Sequence, residues 1–406
     1  MRTLILLGSA VFLPAILSAQ ECGTGRYSTY NYFTQIDSIP AVEFGVNTGV
    51  DGTVQTLRMD IYAPANDALP ERPVVLVSFG GSFVTGSRAD VGPFCAELAR
   101  MGYVAVAMDY RVGFFFPNTS TVMHAVQRCV HDMRGCIRFL RKTVAEDGNP
   151  YHIDPDRIIA GGVSAVAIGA LHLTYMNEPS ELPAPLVADS TLLGGMEGTS
   201  GPSGYSSDVM ACFSLSGALM DTTWIHPGDQ PYCGIHETGD PTVPCYTQQA
   251  YAFGFPTGIV VSGDHDVQRR MAHMGVPNCY LEYNAAQHVG YLLYDPVNSV
   301  DFVIQFLSRV VCGEASGCSA VVMNIAENEP GAANLGLHPV PTSGPLTLEM
   351  PAAGKISIID ARGSVVMRRT LPAGKNVMDV RELPNGLYTL RTEGAVPGTA
   401  RIVISR

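Results

Sequence analysis

The chain of 406 residues has few charged residues and no long run of Lys and Arg. Only 15% of its residues are charged, against about 25% in an average soluble domain, and the formal net charge is −12. Without a basic segment, the chain lacks the positive surface that binding to nucleic acids or anionic membranes requires. Its 46% of hydrophobic residues are enough to form a core, which excludes a mainly disordered protein.

The sequence also lacks an apolar run of about 18 residues, the length that a membrane-spanning helix needs. Arg2 is followed by a shorter apolar run, Leu4 to Ile16, and then by small and polar residues at 17–20. This order is typical of a cleaved secretory signal peptide. We therefore expect a signal peptide at residues 1–20 and passage through the periplasm. The mature protein would be secreted or attached to the cell surface, with no integral membrane segment.

The ten cysteines include no Cys-x-x-Cys pair, which argues against a zinc ribbon and a thioredoxin-like redox site. All ten follow the signal peptide, and an even number of cysteines in an exported chain favours disulfide bonds. Cys312 and Cys318 flank a short Gly- and Ser-containing segment and could close a local loop. Cys129 and Cys136 lie on a predicted helix, which separates them by about 10 Å, too far for a bridge. The sequence leaves the connectivity open.

Strand and helix patterns alternate over residues 72–313. Apolar residues recur at helical spacing from Val122 to Val144. The alternation predicts an α/β fold, in which a mostly parallel sheet carries helices on both faces. Buried strands are predicted at 74–79, 103–110, 157–164, 211–217 and 278–284.

From about residue 314 the composition changes. Gly, Pro, Asn and Ser are frequent in the next segment, and short strand patterns separated by turns follow it. With no helical period, these patterns predict a small all-β sandwich. We expect a first domain at 21–313, a linker at 314–328 and the sandwich at 329–406.

Segments 335–350, 356–366 and 383–394 of the tail, with the closing TARIVISR, form an ordered set. In these segments the tail resembles the C-terminal sorting domain of cargo of the type IX secretion system. The resemblance implies that the tail is an address read by the type IX secretion machinery, and such tails are often removed after export. A carbohydrate-binding or spacer domain is the alternative, although the tail lacks the exposed aromatic cluster that stacking on sugars requires.

A candidate nucleophile, Ser164, lies where a predicted strand meets a helical stretch. A strand that runs into Gly-x-Ser and then into a helix has the layout of a nucleophile elbow, whose sharp turn presents a serine hydroxyl above the sheet. Val166 replaces the last glycine of the usual Gly-x-Ser-x-Gly motif. A second bend, rich in glycine, ends the strand at 74–79. We expect an oxyanion hole made by the backbone N–H groups of Gly81, Ser82 and Ala165.

From about residue 50 to 313, several segments occur in an order that is more specific than any one of them. They include VVLVSFGGSFVTGS, IDPDRIIAGGVSA, HETGDPTVP and QHVGY. In these segments the chain resembles the α/β-hydrolases of the carboxylesterase and lipase type. Esterases carry His-Gly-Gly-Gly at the glycine-rich bend, so Phe79 and Ser82 are departures, as is Val166.

The chain order of this family requires an acid and then a histidine after Ser164. Asp240 in HETGDPTVP matches the loop after the penultimate core strand. The rival is Asp266, but its segment runs directly into a helical stretch, so we interpret Asp264 and Asp266 as helix-capping residues. His288 follows the last strand and is the expected general base. The weaker candidates are His265 and His273.

The resemblance implies a serine esterase that hydrolyses carboxylic esters through an acyl-enzyme, with small-molecule or polymer-linked esters as substrates. Neither a metal nor an organic cofactor is implied. Two alternatives stay open. A serine peptidase or amidase of the same fold would use the same triad, and the three departures are compatible with a catalytically impaired binding protein. Phe114–Phe116 and the Gly-rich segment 177–208 are candidates for a pocket wall and a cap.

Overall fold

The structure is a computed structural model of the chain. It describes residues 21–189, 193–314, 318, 321–323, 337–338, 342–350, 352–360, 365–393 and 398–404. The predicted signal peptide at 1–20 and most of the predicted linker lie outside the described residues. The chain divides into two compact units, one ending at Asn324 and the other beginning at Ile325.

A mostly parallel sheet forms the centre of the first unit. Within the described part of the chain, this sheet and a smaller one are built from twelve strands. These are β1 (Ile36–Thr48), β2 (Val54–Pro64), β3 (Arg72–Ser78), β4 (Val104–Met108), β5 (Ile153–Val163), β6 (Ala211–Leu215), β7 (Ala218–Leu219), β8 (Tyr232–Glu237), β9 (Gln248–Ala252), β10 (Phe255–Gly263), β11 (Asn278–Tyr283) and β12 (Val321–Met323), of which β7, β9 and β10 form the smaller sheet. Among the described residues, nine of them form the large sheet, in the order β1-β2-β4-β3-β5-β6-β8-β11-β12. β1 and β2 pair antiparallel, and the pairs from β4 to β12 are parallel. The predicted α/β fold is confirmed.

The α-helices described in this unit are α1 (Gly92–Arg100), α2 (Thr119–Glu146), α3 (Ala165–Tyr175), α4 (Ala184–Ala188), α5 (Asp264–Met274), α6 (Tyr291–Tyr294) and α7 (Pro296–Val311). α2 begins after Asn118, whose side-chain oxygen accepts a hydrogen bond from the Thr121 N–H at 3.0 Å. Most of the apolar positions predicted on this helix, including Met133 and Ile137, are fully buried in the core, whereas Val122, Val126 and Val144 are half-buried. Within the part of the chain that the structure describes, no helix is long and apolar enough to cross a bilayer.

The sheet extends further along the chain than the composition indicated. Residues 321–323 belong to the predicted linker at 314–328, yet they form β12, which pairs in parallel with β11. A disulfide bond joins Cys279 on β11 to Cys318, which lies three residues before β12 begins. The Gly- and Ser-rich composition before residue 321 concealed a three-residue edge strand, because so short a strand has little pattern of its own.

The prediction of disulfide bonds is confirmed, but the local Cys312–Cys318 loop is wrong. Cys312 pairs with Cys22 and Cys318 pairs with Cys279. The other six cysteines are free and buried, including Cys129 and Cys136, for which a bridge was excluded. The partners of Cys312 and Cys318 are remote in sequence, so the fold brings each pair together.

In its described residues, the second unit contains strands and no helix. Its strands are β13 (Leu337–His338), β14 (Pro345–Met350), β15 (Gly354–Asp360), β16 (Val365–Leu371), β17 (Gly374–Asp379), β18 (Gly386–Glu393) and β19 (Gly398–Ile404). Its described residues form two sheets, in the orders β13-β14-β17 and β16-β15-β18-β19. Alternate residues of these strands, such as Leu346 and Leu348, are buried in one apolar core. The predicted all-β tail is confirmed.

Candidate active site

Ser164 occupies a sharp turn between β5 and α3. Its backbone lies at φ 58° and ψ −119°, a region that residues with a side chain rarely adopt. The turn requires glycine two residues earlier, because a Cβ atom on Gly162 would lie 2.1 Å from Cγ1 of Val166. The same atom would lie 3.0 Å from the carbonyl oxygen of Ser78. The strand therefore needs a residue without a side chain at position 162, where it enters the turn. The predicted elbow geometry is present.

Val166, the departure from the usual motif, is fully buried. Its side chain fills the space next to Gly162, so the two residues are complementary in size. The Ser164 N–H donates to the carbonyl oxygen of Leu215 on the neighbouring strand at 2.8 Å, which anchors the turn. The valine thus fits beside the elbow and leaves the backbone angles of Ser164 in their strained region.

The structure brings Ser164, His288 and Asp240 together in one hydrogen-bonded chain. Oγ of Ser164 lies 2.8 Å from Nε2 of His288, and Nδ1 of His288 lies 2.7 Å from Oδ2 of Asp240. The carboxylate of Asp240 accepts from Nδ1, which leaves Nε2 as the acceptor for the serine hydroxyl. The first distance is within the range for proton transfer between a nucleophile and its base, and the second is that of a hydrogen bond that orients the imidazole ring.

The three side chains come from the carboxyl ends of three parallel strands. Ser164 follows β5, Asp240 follows β8 and His288 follows β11. Parallel strands end at the same edge of a sheet, and the loops after them meet there. Of the weaker histidine candidates, His265 bonds instead to Glu282, at 2.7 Å, and His273 is an exposed residue of α5.

Asp240 is held as an anion. Its other carboxylate oxygen accepts from the N–H groups of Thr242 and Val243, at 2.8 and 3.0 Å. Burial opposes the charged form, but hydrogen bonds from His236 and His288 outweigh it and lower the pKa of Asp240 to about 2. The carboxylate is therefore ionised over the whole range in which a histidine base works.

His236 forms a second buried contact with Asp240. Its Nδ1 lies 2.9 Å from Oδ2 of Asp264 and its Nε2 lies 3.0 Å from the carbonyl oxygen of Val243. Both of these partners are acceptors, and the one donor that faces the ring, the N–H of Asp264, lies farther from Nδ1, at 3.4 Å, so we infer that both ring nitrogens carry protons. Burial lowers the pKa of His236, but the hydrogen bonds and charges of Asp240 and Asp264 outweigh burial and raise it to about 9. This imidazolium lies 3.5 Å from Oδ2 of Asp240.

Asp264 and Asp266 are not helix caps, contrary to the interpretation of the sequence. The residue that precedes α5 is Gly263, and Asp264 is already helical and fully buried. The carboxylate of Asp264 accepts from Gly217 N–H and Tyr232 Oη besides His236. Asp266 accepts instead from the N–H and hydroxyl of Thr247. The local pattern gave no sign of these partners, because each lies on another segment.

The predicted oxyanion donors lie in two backbone turns beside Ser164. Gly81 has φ 117°, and a Cβ atom there would lie 2.3 Å from the carbonyl oxygen of Thr85. Ser82 follows with φ 53° and lines the same cavity as Ser164 and Ala165. Ala165 begins α3, so its N–H belongs to the first turn, where helix N–H groups have no partner within the helix. The positive end of the α3 dipole is directed at the serine.

Phe79, the other departure, is a packing residue. Its ring stacks on Tyr110 with the ring centres 4.5 Å apart. The hydroxyl of Tyr110 donates to the carbonyl oxygen of Phe79 at 3.1 Å. A Cβ atom on Gly86 would lie only 2.3 Å from this ring. The aromatic pair therefore supports the bend from behind, in place of a polar side chain.

An apolar cavity of about 100 Å³ lies beside Ser164. α2 contributes Met123 to its wall and α3 contributes Ile168, while the β9–β10 hairpin closes another side with residues such as Phe253. Phe114 also lines the cavity, whereas Phe115 and Phe116 are exposed. Within the described part of 177–208, no residue lines the cavity, so the hairpin takes the place expected for that cap.

The comparisons with known proteins agree with this architecture. Residues 59–189 match the family model BD-FAE, and residues 336–405 match that of the secretion system C-terminal sorting domain. The chain carries an esterase-type α/β-hydrolase domain followed by a type IX sorting domain. Both resemblances found in the sequence are thereby confirmed. No curated protein sequence matches the chain.

Solved structures similar to the chain include Thermogutta terrifontis esterase 2 in several states. The forms phosphoramylated by tabun and phosphorylated by paraoxon are 22% and 23% identical to the chain, both with a TM-score of 0.48. Each match covers 67% of this chain and 95% of the esterase. The apo form is 22% identical with a TM-score of 0.47, over 68% of this chain and 97% of the esterase.

Sequence reasoning missed two buried groups in the hydrolase domain, His236 and Glu237, and misassigned a third, Asp264, as a helix cap. His236 and Glu237 immediately precede the Thr-Gly-Asp of the predicted acid loop, so their position in the motif was the one available signal. Among the residues that the structure describes, no group of three or more His, Cys, Asp or Glu side chains is arranged to hold a metal ion.

Proposed function

We propose that this protein is a secreted serine esterase that hydrolyses carboxylic esters through an acyl-enzyme. Ser164 is the nucleophile, His288 the general base and Asp240 the acid that orients it. The observation that carries the proposal is the hydrogen-bonded chain from Asp240 through His288 to Ser164, a residue that lines an apolar cavity. The esterase-type family match supports an ester, rather than an amide, as the substrate.

The mechanism follows from these contacts. Nε2 of His288 takes the proton of Ser164 as Oγ attacks the ester carbonyl, and the charge of Asp240 stabilises the resulting imidazolium. The negative oxygen is held by the N–H groups of Gly81, Ser82 and Ala165, each worth about 3 kcal/mol in the transition state. The ester C–O bond then breaks, and the alcohol leaves with the proton from His288.

The second half repeats these steps with water. His288 removes a proton from a water molecule, whose oxygen attacks the carbonyl carbon of the acyl-enzyme. The bond to Ser164 then breaks, and the serine recovers its proton from His288. The apolar cavity, with Met123 and Ile168 in its wall, holds the hydrophobic part of the ester during both steps.

The sorting domain supports the secretory part of the proposal. With a signal peptide at 1–20, the chain would cross the inner membrane, and the sorting domain would then direct it to the type IX secretion machinery. The two disulfide bonds suit an oxidising compartment. Fusing residues 325–406 to a periplasmic reporter in a host with this system should move the reporter to the cell surface or medium. Retention in the periplasm would contradict the assignment.

The esterase activity is tested with purified protein and a short-chain nitrophenyl ester. Ser164→Ala should reduce kcat at least about 1,000-fold, because the nucleophile is lost while the cavity remains. Ser214→Ala is the matched control, since this buried hydroxyl on β6 has no hydrogen-bond partner in the structure. An organophosphonate should label Ser164 in the wild type at one equivalent.

Equal rates of hydrolysis by the wild type and Ser164→Ala would refute the enzyme assignment and favour a binding protein. The same proteins should be assayed with a matched nitroanilide. A higher kcat/KM for the anilide than for the ester would replace the esterase assignment with an amidase.

A further inference from the structure

Strand β8 ends in two buried residues, His236 and Glu237, whose side chains leave opposite faces of the strand. His236 contacts Asp240, as described above. Glu237 is fully buried and contacts a different part of the candidate site, the segment that carries His288.

The carboxylate of Glu237 binds the backbone on both sides of His288. Its Oε2 accepts from the N–H of Gln287 at 2.6 Å, and its Oε1 accepts from the N–H of Tyr291 at 3.0 Å. Oε1 also accepts from the hydroxyl of Tyr294 at 2.6 Å. One side chain therefore joins the residue before His288 to the start of α6.

The segment between these two contacts is strained and closely packed. Val289 has φ 51°, a left-handed conformation that is costly for a β-branched residue and persists where surrounding contacts enforce it. A Cβ atom on Gly290 would lie 2.7 Å from Oε1 of Glu237, so the backbone approaches the carboxylate directly. The contacts of Glu237 thus hold the conformation that directs His288 towards Ser164.

We propose that Glu237 is a positioning residue for the reaction proposed above: its carboxylate fixes the segment 287–291 so that Nε2 of His288 stays at Oγ of Ser164. Glu237 does not line the cavity, so it acts through His288 and not on the substrate. Its removal should therefore lower kcat and leave substrate binding intact. A displacement of the base by about 1 Å costs on the order of 100-fold in rate.

The test compares Glu237→Gln with Glu282→Gln. A glutamine at 237 presents an NH2 group to one of the two backbone N–H groups, so one hydrogen bond to the segment is lost. Glu282 is a matched control, because it is a buried carboxylate on the neighbouring strand β11 that bonds to His265 and Tyr280. We expect kcat of Glu237→Gln to fall about 10–100-fold, with KM changed less than twofold, and kcat of Glu282→Gln to stay near the wild-type value.

A second variant keeps the test possible if Glu237→Gln does not fold. Tyr294→Phe removes one donor to Glu237 and keeps both backbone contacts, so it should lower kcat less than Glu237→Gln does. The urea midpoint of each variant is recorded beside its kinetics. Unchanged kcat in folded Glu237→Gln would overturn the inference, and so would a fall of kcat that Glu282→Gln reproduces at equal loss of stability.

Failure of this inference is distinguishable from failure of the proposed function on which it rests. If the wild type hydrolyses the ester and Ser164→Ala does not, the proposed function stands whatever Glu237→Gln does. If the wild type neither hydrolyses the ester nor reacts with the phosphonate, both fall together. Should Glu237→Gln not fold, Tyr294→Phe decides: the hydroxyl of Tyr294 helps to hold Oε1 of Glu237 at the N–H of Tyr291, so an unchanged kcat would refute the positioning role.

Discussion

The buried imidazolium of His236 makes the stability of the hydrolase domain depend on pH, and His236→Gln should remove that dependence. In the folded protein, the pKa of His236 is raised from 6.5 to about 9, because Asp264 and Asp240 favour its charged form despite burial. A raised pKa means that the folded state binds the proton more tightly than the unfolded state does. The stabilisation is therefore complete below pH 6.5 and is lost as the pH rises through about 9.

The size of the effect follows from the shift. Each pKa unit corresponds to about 1.4 kcal/mol, so the shift of His236 represents about 3 kcal/mol of folding free energy. That amount is a large part of the 5–15 kcal/mol that typically separates folded from unfolded domains. His236→Gln should also leave Asp264 as a buried charge without its cation, which makes the variant less stable than the wild type at pH 6.

Urea unfolding followed by tryptophan fluorescence measures this dependence. Trp224 is the only tryptophan of the chain and is buried in the hydrolase unit, so its signal reports the unfolding of that unit alone. The free energy gap between the wild type and His236→Gln should be largest at pH 6. It should shrink by about 3 kcal/mol at pH 10, where His236 is neutral in both states.

His226→Gln serves as the control, because His226 is more than half exposed and lies outside this network. A gap between the wild type and His236→Gln that is the same at pH 6 and pH 10 would refute the buried imidazolium. In that case His236 would be neutral in the folded protein, and its contact with Asp240 would not be an ion pair.

Two further predictions concern stability. Val166→Gly restores the usual elbow motif but opens a cavity beside Gly162, so the urea midpoint should fall by the equivalent of about 2–4 kcal/mol with no gain in kcat. A more active Val166→Gly protein would show instead that the valine impairs catalysis. Replacing Cys22 and Cys312 by serine should cost about 2–5 kcal/mol, since the bond closes a loop of 290 residues. An unchanged urea midpoint under non-reducing conditions would contradict this estimate.

The departures from the esterase motifs need not mean loss of activity. Phe79 stacks on Tyr110 behind the glycine-rich bend, and Val166 packs beside Gly162. Ser82 still supplies a backbone N–H, whatever its side chain. For Phe79 and Val166, packing replaces the part that the missing residue would have played, and Ser164 keeps the strained backbone of a nucleophile elbow.

Local sequence patterns were enough to predict much of the architecture. β-branched runs and helical spacing were enough to predict the strands around Ser164 and the helix α2, because burial of one face imposes its period on the residues. Chain order also predicted which residues meet. Since β5, β8 and β11 are parallel neighbours or near neighbours, the loops that carry Ser164, Asp240 and His288 must emerge at one edge of the sheet.

Contacts between remote segments could not be predicted from local sequence patterns. The pairing of Cys22 with Cys312, the burial of Asp264 against His236 and the closure of the cavity by the β9–β10 hairpin join parts of the chain that share no periodicity. Each depends on how elements pack once the sheet is formed, and many packings are compatible with the same apolar pattern. Glu237 shows this most clearly. In the sequence it is one acidic residue next to His236, whereas in the fold its carboxylate accepts hydrogen bonds from the backbone on both sides of His288.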